Sequence, residues 1–361
     1  MAFTLPEYHA PQLSLPHFQN APDAFFAPAP REGVAPEGYH ATTIFPEYFH
    51  VGGRWLLAGE SRMDCVAVLA GDRIEVVEFR NLRAGDLVAV GRSEDGSQGI
   101  YVHPDGFSPA GEETKETFSF RQGRSRETAY SKDYDFIYEL LRHEREHGHI
   151  LWVMGPACAF DADSRAAFAS LVRGGYVHGL LAGNALATHD LEAGYLHTAL
   201  GQDIYTQESC PNGHYHHIDT INAVRAAGST AAFIQSGAVK DGIIYECVKK
   251  GVPYVLVGSI RDDGPLPEVY ADVYAGQDAM REQIRKATTV ICMATTLHTI
   301  ATGNMTPSFR VLPDTVRPVY FYSVDISEFA VNKLRDRGSL AVRTLVTNVQ
   351  DFVVNVSRGV G

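Results

Sequence analysis

The sequence TVICMATTLHT, residues 289–299, decides the fold class of this chain. A near-continuous apolar run is followed at once by small and polar residues, and then by helical spacing. The same succession recurs along the C-terminal two-thirds of the chain, where helical segments separate the apolar runs. Such alternation is typical of a parallel sheet that is covered on both faces, so we predict an α/β fold with a Rossmann-like domain. The other predicted strands are residues 150–154, 177–181, 253–257, 319–324 and 340–346.

The N-terminal third has a different rhythm. Short apolar runs at 65–69, 74–79 and 87–90 alternate with Gly/Asp turns, which predicts a small β-rich domain. The first 38 residues carry seven prolines and no clear period, which predicts an extended arm. The predicted units are an N-terminal arm at 1–38, a small β-rich domain at 39–130 and a Rossmann-like catalytic domain at 131–361.

Composition and charge narrow the kinds of partner. The 361 residues include 31 Lys plus Arg against 43 Asp plus Glu, a net charge of -12. This balance, without a basic run, argues against nucleic acid or an anionic membrane as partner. Five widely spaced cysteines without a CxxC pair fit reduced thiols in a cytoplasm. Because neither a signal peptide nor a long apolar run is evident, we expect a cytoplasmic protein, no membrane span and small-molecule ligands.

The residues that follow each apolar run are the informative ones, because ligands bind at the carboxyl ends of strands in an open parallel sheet. Asp325 follows the run VYFYSV and precedes a helix predicted at 327–337. An acid there can accept hydrogen bonds from ribose hydroxyls and favours NAD over its phosphorylated form; an N-capping Asp is the alternative. The GxGxxG loop is absent from the sequence, so amides at other helix N-termini must hold the phosphates. The candidates are Asn184, Ala185, Thr295, Thr296, Leu297, His298 and Thr299.

A turn after the apolar run at 253–257 concentrates charge in the sequence RDDGPLP, residues 261–267. One interpretation is that a carboxylate of Asp262 or Asp263 orients the cofactor or a substrate amine. The alternative is a salt-bridged turn without a chemical role. We take Asp262 as the catalytic candidate of this segment.

Histidines crowd together in GHYHH, residues 213–217. Imidazoles this close can bind a metal ion, but no carboxylate or cysteine lies at convincing ligand spacing in the sequence, so we predict no metal site. We predict instead a loop facing the substrate, in which His214 and His217 transfer protons near neutral pH. The sequence HEREH, residues 143–147, matches the HExxH pattern of zinc proteases, but its charged helical context favours a solvated helix end.

Four blocks of the sequence carry a resemblance to a known family. They are GGYVHGLLAGNALATHDLE, AVKDGIIYECVKKGVPYVLVGSIRDDGPLPEVYADV, ATTLHTIATGNMTPSF and YSVDISEFAVNKLRDRGS. These blocks resemble the archaeal and cyanobacterial type of NAD-dependent ornithine cyclodeaminase, a family also described as a lysine-oxoglutarate reductase/saccharopine dehydrogenase domain. The resemblance covers most of residues 145–355. It implies a Rossmann-like domain similar to that of deoxyhypusine synthase, NAD as a recycled cofactor, and conversion of ornithine or a related diamino acid to a cyclic imino acid such as proline, with release of ammonia.

Carried over by matching motif, the resemblance implies cofactor contacts at several predicted strand ends. Departures from the family pattern, such as Asn348 in place of an expected Asp, leave a second function open. That alternative is an NAD-dependent amino-acid or opine-type dehydrogenase, which forms or reduces an imine. In either case we expect an amino acid as substrate and a homo-oligomer, a dimer or a tetramer. The implied cofactor contacts are Asn184, Ala185, Asp263, Thr295, Thr296, Leu297, His298, Thr299, Asp325, Asn348 and Val349.

Overall fold

The computed structural model of the chain describes residues 3–107, 131–262, 264–327 and 341–361. The candidate Asp263 and all but the first residue of the helix predicted at 327–337 lie outside the described residues. No helix in the described part combines the length and the apolar character that crossing a bilayer requires.

The N-terminal part is built from short antiparallel strands. The pair Cys65–Ala70 and Arg73–Glu78 is joined by a two-residue turn, in which Gly71 adopts a left-handed φ of 68°. The strands form sheets with the orders β1-β7-β5-β6 and β3-β2-β8. The elements are α1 (Pro16–Gln19), β1 (Phe25–Pro28), β2 (Glu47–Val51), β3 (Arg54–Leu57), β4 (Glu60–Ser61), β5 (Cys65–Ala70), β6 (Arg73–Glu78), β7 (Leu87–Val90) and β8 (Ile100–Val102).

The C-terminal part alternates strands and helices, as the sequence predicts. Its strands are β9 (Ile150–Met154), β10 (Gly179–Gly183), β11 (Thr198–Ala199), β12 (Gln202–Asp203), β13 (Tyr254–Val257), β14 (Thr289–Met293), β15 (Phe309–Leu312), β16 (Thr315–Pro318), β17 (Tyr320–Asp325) and β18 (Ala341–Val346). Its described helices are α2 (Ser131–His147), α3 (Ala162–Arg173), α4 (Asn184–Leu196), α5 (His216–Ala227), α6 (Thr230–Gln235), α7 (Ile243–Lys250), α8 (Val273–Ile284), α9 (Thr296–Met305) and α10 (Val349–Val360).

Six parallel strands form the central sheet, in the order β13-β10-β9-β14-β17-β18. Numbered by their sequence within this sheet, the strands run 3-2-1-4-5-6, which is the order of doubly wound dinucleotide-binding folds. The order reverses between β9 and β14, so the crossover helices on either side of this point lie on opposite faces. The predicted Rossmann-like fold is therefore confirmed.

Residue alternation along the strands builds two cores. In β9, Trp152 and Met154 pack in one apolar cluster, whereas Leu151 and Val153 pack in another. All four side chains have no exposed surface. Because successive strand side chains point to opposite faces, both faces of the sheet are covered, and this explains the near-continuous apolar runs of the sequence.

The two parts of the chain share a small sheet. The hairpin of β15 and β16 from the C-terminal part pairs with β4 of the N-terminal part, in the order β16-β15-β4. Within the stretch predicted as an arm, β1 forms an edge strand against β7. Its sequence, FFAP, is too short to show a period, and Pro28 is tolerated because the strand lies at a sheet edge.

The end of α2 is solvated as predicted at Arg145, Glu146 and His147, but not at Glu144. Glu144, the acid of the HExxH pattern, has no exposed surface. Its carboxylate accepts hydrogen bonds from Thr288 and Thr289 and pairs with Arg317 at 2.8 Å. Thr288 precedes β14, Thr289 begins β14, and Arg317 lies in β16, just before β17. The buried ion pair therefore sits at the amino edge of the central sheet, where the strands begin. The sequence did not show this burial because the partners are more than 140 residues away.

Candidate functional site

The carboxyl edge of the central sheet, where its strands end, opens between β9 and β14. Gly155 follows β9 and donates its backbone N–H to the carbonyl oxygen of Met293, at 2.8 Å. A Cβ atom at this position would overlap the carbonyl oxygen of Ala294. Ala294 itself has a φ of 52°, in the left-handed region that residues with a side chain seldom adopt. The two strand ends thus approach closely at the switch point, where doubly wound folds bind their ligands.

A cleft of about 240 Å³ lies at this switch point. Three predicted cofactor residues, Asp325, Asn348 and Val349, are brought together in its lining. Asp325 Oδ1 accepts a hydrogen bond from the backbone N–H of Ser327 at 2.8 Å, so its carboxylate is held in place with other lone pairs available. The remaining lining residues are Ala157, Ala294, Ile326 and Gln350.

Asn348 caps the helix that closes one side of this cleft. Its Oδ1 atom accepts hydrogen bonds from the backbone N–H groups of Gln350 and Asp351, at 2.8 and 3.3 Å. The side chain of Gln350 donates in turn to the carbonyl oxygen of Ala157, at 3.1 Å. The first turn of α10 is therefore tied to the loop after β9, and the width of the cleft depends on both.

The segment 295–299 forms the start of α9 beside the same switch point. By helix geometry the N–H groups of its first turn have no partner within the helix, and the helix dipole favours an anion there. Thr296 and Leu297 are exposed, Leu297 by 69%. Thr299 is only 5% exposed and its N–H bonds to the carbonyl oxygen of Thr295, so this residue faces inward.

A second group of predicted residues surrounds the ends of β10 and β13. Asn184 is 6% exposed, and its Oδ1 atom accepts hydrogen bonds from the N–H of Leu266 and from the hydroxyl of Thr188. The side-chain oxygen of Asn184 therefore anchors the loop after β13. Ala185 is the next residue of α4 and is partly exposed.

His298 and Asp262 belong to this second group. The ring of His298 lies against Gly183, and its Nδ1 atom is 3.2 Å from the hydroxyl of Thr295. Burial lowers the pKa of His298, and the charge of nearby Asp262 opposes that shift only in part. Asp262 accepts a hydrogen bond from the N–H of Ser259 at 2.7 Å, which holds its carboxylate at the start of the turn.

The predicted catalytic histidines separate in the structure. His214 is exposed and its ring contacts that of Tyr215 in a tilted arrangement, with ring centroids 4.3 Å apart. His217 instead joins His189 and Glu192 in a buried cluster between α4 and α5, which we name the α4–α5 cluster. Glu192 supplies the carboxylate that the spacing around GHYHH does not show.

Sequence reasoning missed His189 and Glu192. A signal was present, because α4 begins directly after a strand end and carries several polar residues although the helix is buried almost all round. Polar side chains inside a buried helix must find partners, so they mark a network or a site. His189 and Glu192 are three residues apart, which places them on one face of the helix.

The pKa shifts in the α4–α5 cluster follow from burial and hydrogen bonding. Burial alone would raise the pKa of Glu192, but hydrogen bonds from His189, from the N–H of Gly201 and from the hydroxyl of Thr198 bring it below its usual range. Burial and the neighbouring His189 lower the pKa of His217. At neutral pH, Glu192 is therefore an anion and His217 a neutral imidazole.

A larger cavity, of about 390 Å³, lies between the end of α5 and the loop after β13. None of the predicted site residues that the structure describes lines it, and its lining includes Arg225, Pro265 and Val269. The geometry at the strand ends, rather than cavity size, identifies the candidate site.

Comparison with known proteins gives these observations a context. The family described as arginine dihydrolase ArgZ-like, C-terminal, Rossmann fold matches residues 135–356. An ornithine cyclodeaminase of Methanocaldococcus jannaschii is 38% identical over 338 residues, which are 90% of this chain and 75% of that protein. The crystal structure of a conserved LOR/SDH protein from Methanococcus maripaludis S2 superposes with a TM-score of 0.82 at 35% identity, covering 94% of this chain and 98% of that one.

A further relative has been solved with ligands. AgrE of Nostoc sp., a bifunctional arginine dihydrolase/ornithine cyclodeaminase, is 33% identical over 340 residues, which are 93% of this chain and 46% of AgrE. The ternary complex of AgrE with ornithine and NAD+ superposes with a TM-score of 0.59 at 30% identity, covering 96% of this chain and 46% of that one.

Proposed function

The chain belongs to the family of arginine dihydrolase ArgZ-like C-terminal Rossmann-fold domains, and on this basis we propose that it is an NAD-dependent ornithine cyclodeaminase. The proposed reaction converts ornithine to proline and releases ammonia. Homologous proteins named ornithine cyclodeaminase support an enzyme of this general kind, and the solved AgrE complex supports NAD as its cofactor.

One observation of the structure carries the proposal. The switch point of the central sheet coincides with a cleft whose wall includes an acid at the end of β17 and the first turn of α10. A helix N-terminus beside a strand-end acid suits a dinucleotide, because phosphates need close approach to amides and ribose hydroxyls need an acceptor. The residues present therefore fit NAD.

We assign binding roles according to this fit. Asp325 accepts hydrogen bonds from ribose hydroxyls, and its negative charge disfavours a 2′-phosphate. The start of α9, at Thr296 and Leu297, and the amides beyond Gly155 hold the phosphates. Asn348 and Val349 form the wall of the cleft opposite Ala294. When bound, the nicotinamide ring accepts a hydride and gives it back, so the overall reaction has no net redox change.

Asp262 and His298 are the residues that we propose for handling the substrate amine. The carboxylate of Asp262 can pair with a protonated amine, and a His298 kept neutral by its lowered pKa can accept a proton. Asp262 follows β13 and His298 follows β14, so both lie at the same carboxyl edge of the sheet as the cleft. His214 contacts Tyr215 at the surface and His217 faces Glu192, so the proton-transfer roles predicted for these two residues stay predictions.

Incubation with excess ornithine and substoichiometric NAD tests the function. Full conversion to proline and ammonia, without accumulation of NADH, is the expected result. NADH in amounts equal to the ornithine consumed would establish the opine-type or amino-acid dehydrogenase instead. NAD binding without turnover of ornithine or any other diamino acid would contradict both enzymes.

We further propose that the carboxyl edge is covered in a homo-oligomer. Large apolar side chains surround the site in the single chain: Ile326 is 75% exposed and Leu297 is 69% exposed. Exposed apolar groups concentrated at one place favour an interaction surface. Light scattering on the purified protein should give a dimer or a tetramer, and a monomer at micromolar concentration would exclude this assembly.

A further inference from the structure

The α4–α5 cluster, formed by His189, Glu192 and His217, has the composition and spacing of a metal site. Each residue offers one ligand atom, and these atoms lie within 4.8 Å of one another. Glu192 Oε2 is 3.2 Å from Nδ1 of His189 and 3.9 Å from Nδ1 of His217. None of the three residues lines the cleft at the switch point, so the cluster is a separate feature of the molecule.

Glu192 is held as a preformed ligand. Its Oε1 atom accepts hydrogen bonds from the N–H of Gly201, at 3.0 Å, and from the hydroxyl of Thr198, at 2.9 Å. The same hydroxyl lies 2.8 Å from Nδ1 of His216. Ligating carboxylates are commonly oriented by such a second layer of hydrogen bonds. Oε1 is used for anchoring, whereas Oε2 faces the two imidazoles and accepts one further hydrogen bond, from the N–H of Leu200 at 3.3 Å.

His217 provides the observation that points to a ligand. Its Nδ1 atom is buried and has no hydrogen-bond partner, although it lies close to an anionic carboxylate. A buried polar atom without a partner costs free energy unless something else satisfies it.

We propose that the α4–α5 cluster binds one divalent transition-metal ion of the Zn²⁺ class through His189, Glu192 and His217. Two imidazoles and one carboxylate form a donor set used by zinc, and the fourth position is then left for water or a ligand. Tetrahedral zinc with bonds of about 2.0–2.1 Å places its ligand atoms roughly 3.3 Å apart. The nitrogen–oxygen separations of 3.2 and 3.9 Å lie near that value, and a modest turn of the half-buried His217 ring closes the set.

The bound ion would connect three segments of the chain. His189 and Glu192 come from α4, His217 comes from the first turn of α5, and Thr198 and Gly201 belong to the β11–β12 hairpin. The ring of His189 also contacts the ring of Phe160, in the loop after β9, at a centroid distance of 5.3 Å. The ion would thus fix the segments beside the strand ends without touching the dinucleotide cleft.

Titration of the chelator-treated full chain with Zn²⁺ in a calorimeter tests the proposal. The expected result is one ion bound per chain, with a cobalt-substituted form whose visible absorption indicates tetrahedral coordination. Loss of a residue that only hydrogen-bonds to a metal ligand typically weakens metal binding by about 10–100-fold. Glu192→Gln changes a direct ligand, so it should weaken Zn²⁺ binding by about 100-fold or more. Thr198→Ala, which removes only an anchoring hydroxyl, should weaken binding by about 10–100-fold.

The second His/Glu pattern of the chain provides a matched control. His143, Glu144 and His147 are also two histidines and a glutamate, and Nδ1 of His143 lies 3.1 Å from Oε1 of Glu144. Both carboxylate oxygens of Glu144 are, however, already bonded to Arg317 and the two threonines. His147→Gln should therefore leave the affinity for Zn²⁺ unchanged. If Glu192→Gln fails to fold, His217→Asn at the half-buried position gives the same comparison. Absence of stoichiometric binding, or binding that Glu192→Gln and His217→Asn leave intact, would overturn the proposal.

Discussion

The two edges of the central sheet carry the same kinds of polar side chain and satisfy them in different ways. At the amino edge, Glu144 and Arg317 are 0% and 1% exposed and pair across 173 positions of the sequence. At the carboxyl edge, Asp325, Asn348 and Asp262 accept hydrogen bonds from backbone N–H groups no more than three residues away. The distant partners make the amino edge a contributor to stability, whereas the local partners leave the carboxyl edge prepared for a ligand.

The charge at the amino edge should give the largest effect on folding. Replacement in Glu144→Ala leaves the guanidinium of Arg317 buried without its counter-charge, which should lower the free energy of unfolding by about 3–5 kcal/mol. Urea denaturation measures this loss. The adjacent Glu146, 61% exposed and paired with Arg145, is the matched control, and Glu146→Ala should cost less than about 1 kcal/mol. Equal losses in the two variants would remove the distinction between a buried and a solvated acid.

The corresponding change at the carboxyl edge should act on binding instead of folding. Asp325→Ala removes a charged hydrogen-bond acceptor worth roughly 1.5–3 kcal/mol, so the Kd for NAD should rise by about 10–100-fold or more. Calorimetry with NAD measures the affinity, and urea denaturation should show a nearly unchanged stability. Asp351→Ala, at an exposed acid of α10 outside the cleft lining, is the control. An unchanged Kd in Asp325→Ala would exclude this acid from the site.

Acidification should weaken the amino edge through a half-buried histidine. His149 precedes β9 and stacks on His178, with ring centroids 5.2 Å apart. Burial, followed by the charges of His178, Lys286 and Arg310, lowers the pKa of His149 from 6.5 to about 4. The unfolded chain therefore takes up this proton first, so stability is unaffected above pH 6.5 and falls as the pH drops towards about 4.

The size of this loss is on the order of 1–2 kcal/mol for a partly solvated group. Urea denaturation at several pH values between 7 and 4 measures it, and His149→Gln should flatten that part of the profile. His17→Gln, at an exposed histidine, should leave the profile as it is in the unchanged chain. Parallel profiles for all three proteins would contradict the role given to His149.

The sequence predicts the sheet better than it predicts the partners of polar groups. The strands at β9 and β14 have the predicted bounds, because a buried parallel strand is a continuous apolar run that ends where the run ends. The predicted strand at 177–181 lies two residues early, since Val177 belongs to the preceding loop although it is buried. Buried residues next to a strand therefore make its predicted bounds less accurate, but the strand itself is still predicted.

The same contrast between local patterns and long-range contacts holds for the residues of the candidate site. Asp325 could be placed at this edge from the sequence because it ends an apolar run, whereas Asn348 and Val349, which line the same cleft, were implied by the family resemblance. Glu192 could not be connected to His217 in this way, since their approach depends on how α5 packs on α4. The burial of Glu144 was missed for the same reason. Local patterns reveal where a strand ends, whereas long-range polar pairs need the tertiary structure.

Asn348 allows the smallest but most discriminating test, because it is both a helix cap and part of the cleft wall. Asn348→Ala removes the acceptor of two backbone N–H groups at the start of α10, which should cost about 1 kcal/mol of unfolding free energy. Asn348→Asp keeps an acceptor at the same place, so its stability should stay within a few tenths of a kcal/mol. Urea denaturation measures both values.

The affinity for NAD then shows whether Asn348 serves folding alone or NAD binding as well. If the first turn of α10 must be ordered for Val349 and Gln350 to line the cleft, Asn348→Ala should weaken NAD binding several-fold and Asn348→Asp should not. A variant that loses stability but binds NAD as before would show that this cap serves folding alone. Local hydrogen bonds at the carboxyl edge would then serve stability, as the pair of Glu144 and Arg317 does. The distance in sequence between hydrogen-bond partners would no longer distinguish a stabilising edge from a binding edge.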